Sequence, residues 1–364
     1  MNSQSLQENV RIIWAVATKD IVEAVKNRMT ISIIIGVAFL VLSGQALPLL
    51  LKLKNTPTAI AYDAGKSTLV AQWRKSRELE LHTVASQQEL ERAVGESATP
   101  QLGLTIPANF DLLAESDTPI ELDGYLAHWI SPTDADATKT FFEEKLSELL
   151  GQSVRIDTQG HTVYPSADSG GQLFMMSMSL VAAILTICGA IVPFLMIEEK
   201  ETHTLDALLV SPASIGQVVV GKALAGTFYG LVAAGVVFAF NPRLVVHWQV
   251  AILASVCGTL FAVAVGLLLG SLFDNPQSMN LWFGVVLLVL LMPVFLADML
   301  ASKTPAIVRT IMSWIPSVLM SQVVRTSYSA NVPWGDVLLK LGIISGCAVA
   351  VLGLVAWRVR LSDR

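Results

Sequence analysis

Polar and apolar positions divide this chain into blocks of contrasting character. Over residues 5–28, Leu6, Val10, Ile13, Trp14, Ala17, Ile21 and Ala24 recur at helical spacing, with Glu8, Arg11, Lys19, Glu23 and Lys26 on the other side. A tryptophan at an apolar edge with basic residues opposite predicts a helix lying in the headgroup plane, anchored by Trp14, Lys19 and Arg28. The same pattern also fits an amphipathic helix packed on protein. This unit, residues 1–29, precedes a first apolar run at 30–51. About 20 apolar residues suffice to cross ~30 Å of hydrocarbon.

A hydrophilic block follows, from 52 to 171. Ala59–Tyr62, Glu80–Val84, Leu102–Ile106, Ile120–Ile130 and Val154–Asp157 read as strands; Ser67–Arg77, Gln87–Val94, Asn109–Ala114 and Ala135–Leu150 read as helices. Ser86 with Glu89 has the form of a capping box. The alternation predicts a compact α/β domain with its own core.

Five further apolar runs lie at about 173–197, 217–240, 249–273, 279–300 and 337–357. Ser214 with Gln217 forms a second capping box, directly after the Ser211–Pro212 break. Between the last two runs, residues 303–334 are too apolar for a free loop. Ala306–Tyr328, interrupted at Pro316, fits a pair of short helices that enter the bilayer and return, a re-entrant segment that includes Pro316 and Arg325. The expected fold is a polytopic α-helical membrane protein of about six transmembrane helices, with an α/β domain inserted after the first.

Composition agrees. Of 364 residues, 53% are hydrophobic and 15% charged, where a soluble domain carries nearer a quarter. The net charge of −5 hides an asymmetry: residues 52–171 hold 10 Lys/Arg against 18 Asp/Glu, a net of −8, leaving +3 on the membrane flanks. No basic stripe of the kind nucleic-acid binding needs is present. The three cysteines, Cys188, Cys257 and Cys347, all fall in apolar runs, so the polar block has neither a disulfide framework nor a thiolate zinc site. The first apolar run lacks a small-x-small cleavage site and reads as an uncleaved anchor. With the N-terminus inside, Arg11, Lys19, Lys26, Arg28, Lys200, Lys222, Arg358, Arg360 and Arg364 fall on the cytoplasmic face, and Arg243, Lys303, Arg309 and Arg325 on the other. Both termini are then cytoplasmic and residues 52–171 extracytoplasmic.

The apolar runs hold almost no ionisable side chain: Asp298 lies near a helix end, and Gln45 and Asn280 are neutral. Ion-coupled carriers place charge at mid-membrane, so that class is disfavoured. Ala64-Gly65-Lys66-Ser67-Thr68 imitates the end of a phosphate-binding loop, but Ile60 stands where the motif needs its first glycine. The histidines at 82, 128, 161, 203 and 247 are dispersed, without metal-ligand or triad spacing. Gly226/Gly230, Gly266/Gly270 and Gly342/Gly346 have the spacing of close helix packing, within the chain or between two copies. Pro193 and Pro293 are candidate kinks.

Work must then be delivered from outside. The receiver is the charged, amphipathic turn between the second and third membrane runs, Glu198-Glu199-Lys200-Glu201-Thr202-His203-Thr204-Leu205-Asp206-Ala207-Leu208-Leu209-Val210-Ser211-Pro212, continuing to Gly221-Lys222. It closely resembles the signature of ABC-2 type transporter permeases, with His203 where glycine usually stands and Asp206 for glutamate. Leu102-Gly-Leu-Thr-Ile-Pro-Ala-Asn-Phe110 and Trp314-Ile-Pro-Ser-Val-Leu-Met-Ser-Gln-Val-Val-Arg325 are similar to segments of the sodium-extruder-like and multidrug-like branch of that family.

The resemblance implies a permease without an ATPase site of its own, pairing with a second permease. A separate ATP-binding subunit, holding ATP and magnesium, would dock on a coupling helix at 198–212. Glu198, Glu199, Glu201, Leu205, Asp206, Leu208, Leu209 and Pro212 are its expected coupling residues. Export is the implied direction, with sodium, a drug-like amphiphile, a lipid or a peptide as cargo. The alternative is a membrane receptor or phage-adsorption-type protein that uses its external domain without ATP.

Overall fold

The computed structural model describes residues 3–28, 31–39, 42–43, 58–75, 80–97, 99–115, 118–168, 170–201, 214–299 and 305–362. Among the described residues, five helices are long and apolar enough to cross a membrane: Leu173–Glu198, Gly216–Phe240, Trp248–Leu272, Pro276–Ala297 and Trp334–Arg358. They belong to α6 (Gly171–Glu201), α7 (Ile215–Phe240), α8 (Trp248–Leu272), α9 (Pro276–Met299) and α12 (Trp334–Ser362). Of the first apolar run, 31–39 is helical, with Val37 buried against the bundle core. Most of that run lies outside the described residues.

Helix α6 is the axis of the bundle. Its most apolar window is 89% buried, against 11% for α9, whose Leu281, Leu288 and Met292 point outward. Around it pack α7, α8, α9 and the short α11 (Pro316–Thr326), and α12 closes onto α8. Two of the three glycine pairs make this possible. A Cβ on Gly226 would collide with Val192 of α6, and one on Gly230 with Thr259 and Cys188; Gly266 meets the Cys188 carbonyl and Gly270 meets Met196. Small residues here let three helices approach to backbone contact. Gly342 and Gly346 have open space around them, so α12 packs on the bundle by its other face, through Val337, Leu341, Ile344 and Ala348.

The 303–334 region contains α10 (Ala306–Met312) and α11, divided where Pro316 takes the first position of the second helix, as its fixed φ and missing N–H favour. Helix α11 is buried almost throughout. Met320 fills the space left by Gly258, Ser321 shares a hydrogen bond with Ser177 at 3.0 Å, and Ser317 donates to the Leu290 carbonyl at 2.5 Å.

The hydrophilic block is a six-stranded sheet ordered β2-β1-β3-β4-β5, with β6 also pairing with β4. The strands are β1 (Thr58–Asp63), β2 (Glu80–Val84), β3 (Leu102–Ile106), β4 (Ile120–Ala127), β5 (Val154–Asp157) and β6 (Thr162–Val163). Pairing is parallel except between β3 and β4. Successive residues of β1 face opposite sides: Ala59 and Ala61 join a core with Trp73 and Phe142, while Ile60 joins Leu90, Val94 and Tyr125. Those cores are covered by α2 (Thr68–Lys75), α4 (Phe110–Ala114) and α5 (Pro132–Leu150) on one face and by α3 (Gln87–Glu96) on the other.

The strand and helix boundaries lie close to those expected, with four differences. Strand β4 ends at Ala127 rather than Ile130, because the chain turns there, with Ile130 N donating to the Ala127 carbonyl at 3.1 Å. Helix α5 begins at Pro132 rather than Ala135, because Ser131 caps it by accepting from Asp134 N at 3.0 Å. Ser86 accepts from Glu89 N as a cap should, but the Glu89 carboxylate reaches back to Ala85 N, one residue before the cap. The two-residue β6 carries too little pattern to be recognised. The Ser214–Gln217 box is complete in both directions, at 3.4 and 2.8 Å.

The domain rests on the bundle beside the turn between α7 and α8. His128 Nε2–H donates to the Leu244 carbonyl at 3.1 Å, its ring stacks on Tyr164, and Trp129 packs against the membrane core.

Candidate functional site

The end of the bundle where α6 finishes and α7 begins also holds α1 (Ser3–Lys26). The joining segment, 202–213, lies outside the described residues, and with it Leu205, Asp206, Leu208, Leu209 and Pro212. Glu199 and Glu201 fall within the last turn of α6. Glu198 is half-buried, and its Oε1 accepts from Asn27 Nδ2 at 3.3 Å.

Helix α1 is held by protein along one edge. Ala17, Asp20 and Ala24 are buried, and Val16 sits where a side chain on Gly221 would stand, so that glycine admits α1 close to the α7 backbone. Gln217 Nε2 donates to Asn9 Oδ1 at 2.7 Å and the Tyr229 hydroxyl donates to the Ile21 carbonyl at 2.5 Å. Val10, Trp14 and Val25 remain exposed on a neighbouring edge, with Lys19 and Arg28 also at the surface. The reading of an amphipathic helix packed on protein therefore holds along the buried edge.

Sequence patterning missed the strongest electrostatic feature here. Lys222 Nζ lies 3.3 Å from Asp20 Oδ2 and donates to the Leu195 carbonyl at 3.0 Å, with side-chain exposures of 3% and 1% for the ion pair. Lys222 was expected as a flanking cytoplasmic charge. It is instead buried inside the candidate span Gly216–Phe240, about 10 Å from its start at ~1.5 Å per residue. The expectation that the apolar runs carry almost no charge is therefore corrected at this position. The missed signal was an acid on α1 able to neutralise a lysine inside an otherwise apolar run.

In the 303–334 region, Arg325 is 9% exposed and its guanidinium lies 5.9 Å from the centre of the Phe174 ring, within reach of a cation–π contact. The phosphate-loop imitation is filled by the protein itself. Asp63 accepts from Gly65 N at 3.1 Å, Ser67 N at 2.7 Å and Ser67 Oγ at 3.1 Å, while Asp111 accepts from Thr68 N and Oγ1. The donors that would cradle a phosphate are engaged by two carboxylates. No group of three or more His, Cys, Asp and Glu able to hold a metal ion occurs among the described residues.

A family profile described as "ABC-2 family transporter protein" matches residues 28–357. The chain belongs to that family and is an ABC-2 membrane permease. Among characterised proteins it is similar to the "ABC transporter permease protein NatB" of Bacillus subtilis (strain 168), 27% identical over 234 residues. That match covers 60% of this chain and 60% of the relative's length.

Proposed function

We propose that this permease exports cargo across a cell membrane when driven by a separate ATP-binding subunit docked on residues 198–212. It belongs on this reading to the sodium-extruder-like and multidrug-like branch, with both termini in the cytoplasm. Residues 30–51 form the first of six spans, 52–171 face outward, and 303–334 re-enter the membrane. The observation that carries the reading is the gathering at one end of the bundle of α1, the last turn of α6 and the first turn of α7. Asn27–Glu198 and Gln217–Asn9 bracket the segment 202–213 at both of its ends. A push on that segment would be felt at once by three helices.

In this scheme Leu205, Leu208 and Leu209 fill a groove on the ATPase, and Glu198, Glu199, Glu201 and Asp206 meet its basic rim, with Pro212 ending the helix. Trp14, Lys19 and Arg28 seat α1 in the headgroups. ATP and magnesium belong to the partner. A second permease would sit on the open apolar faces of α9 and α12. Replacing Leu208 with Asp is expected to abolish capture of the ATPase while the permease remains folded. Capture at wild-type strength by Leu208→Asp overturns the docking assignment, as does transport by the purified chain without any ATPase.

A further inference from the structure

We propose that Asp20 and Lys222 are positioning residues, a buried pin that makes α1, α6 and α7 move as one body when the 202–213 segment is driven. This rests on the ATP-driven reading above and deepens it.

A buried ion pair is a poor source of stability, because desolvating two charges offsets most of their attraction, and a well-packed apolar pair often serves as well. In some proteins such a pair instead fixes the register between the elements that carry it, and that is the role assigned to it here. Here one ammonium spans three helices: it contacts Asp20 of α1 at 3.3 Å and the Leu195 carbonyl of α6 at 3.0 Å while rooted in α7. Leu195 lies within two turns of the end of α6. Both sides of the driven segment are thus tied to one charge.

The surroundings fit a rigid junction. Gly221 lets α1 approach to the backbone of α7 immediately beside the pin. Cross-links at Asn9–Gln217, Ile21–Tyr229 and Asn27–Glu198 run along the same edge of α1, over about 27 Å at ~1.5 Å per residue. Apolar contact alone would permit α1 to slide or roll against α7. An ion pair with a second, carbonyl ligand does not, since sliding leaves charge buried without its partners.

The test uses the full chain with its partner ATPase, reconstituted in liposomes, with Cys188, Cys257 and Cys347 replaced by alanine. Spin labels go at exposed Val25 on α1 and Val220 on α7, and in a second sample at Val25 and Val349 on α12. Binding of a non-hydrolysable ATP analogue is expected to leave the 25–220 distance unchanged and to shift the 25–349 distance. In Asp20→Asn the 25–220 distribution broadens on nucleotide binding, and transport per ATP hydrolysed falls on the order of tenfold while the ATPase stays bound. A wild-type 25–220 distance that changes with nucleotide overturns the pin, a result that needs no variant to fold. So does an Asp20→Asn or Lys222→Met protein with wild-type distances and coupling. Failure of the wild-type chain to bind any ATPase overturns the transport reading, and this inference with it.

Discussion

The carbonyl oxygen of Cys188 on α6 occupies the space that a side chain at position 266 of α8 would need: a Cβ there would stand 2.7 Å away. Position 266 is one of three glycine spacings that look alike in sequence, and the structure gives them different work. Gly266→Ala is expected to destabilise the bundle by about 1–3 kcal/mol, the usual cost of overpacking, because a backbone carbonyl cannot rotate aside. Gly342→Ala, with nothing within 4 Å, leaves folding unchanged. Thermal unfolding in detergent separates the two. Equal midpoints would contradict this packing.

Met320 anchors the buried α11 against α8, with its thioether at Gly258. Met320→Ala is expected to cost about 2–5 kcal/mol, since a fully buried side chain is removed and its neighbours are tethered to two helices. Protease susceptibility after residue 312 should rise in parallel. Unaltered cleavage would show that α11 is held by its other contacts alone.

Contact between the α/β domain and the bundle should weaken in acid. Burial lowers the His128 pKa from its ordinary value, opposed by the hydrogen bond to Leu244. The folded protein therefore prefers the neutral ring, and the unfolded chain binds a proton more readily. The contribution of His128 is complete above the ordinary imidazole value and is lost as pH falls through the lower folded one. Protonation would place a second N–H at Nδ1, which is buried and meets no partner. Hydrogen-exchange protection factors at residues 128–130 and 242–247, corrected for the intrinsic pH dependence of exchange, are expected to fall as pH drops below the ordinary imidazole range. His128→Gln should remove the dependence, and a persistent slope in that variant assigns it elsewhere.

Lys222→Met leaves the Asp20 carboxylate buried without the ammonium that faces it, at an expected cost of about 3–5 kcal/mol. Adding Asp20→Leu to that variant should recover most of the loss, because no buried charge then remains. Chemical denaturation of the two proteins measures the difference. A double variant as unstable as the single would mean that the charge is not the reason.

Much of the fold was legible along the chain because its signals are local. Runs such as 249–273 announce a span by length alone, and the alternation in β4 from Ile120 to Asp123 assigns inward and outward faces. Ser214 and Gln217 declare a helix start within four residues. The candidate site was legible only in part. Glu198 to Pro212 stood out as charge between apolar runs, while Asp20 was hidden among the polar residues of α1 and Lys222 was counted with the flanking charges.

The sequence by itself determined that this is a polytopic membrane protein with a large α/β domain preceding its bundle of apolar helices. Hydropathy and periodicity are properties of neighbouring residues and need no fold to be read. Only the tertiary structure decided that Lys222 is buried against Asp20, that Gly266 rather than Gly342 closes a helix interface, and that His128 touches Leu244. Each of those depends on two residues from 78 to 202 positions apart reaching one place. Burial, charge pairing and close approach are properties of that meeting.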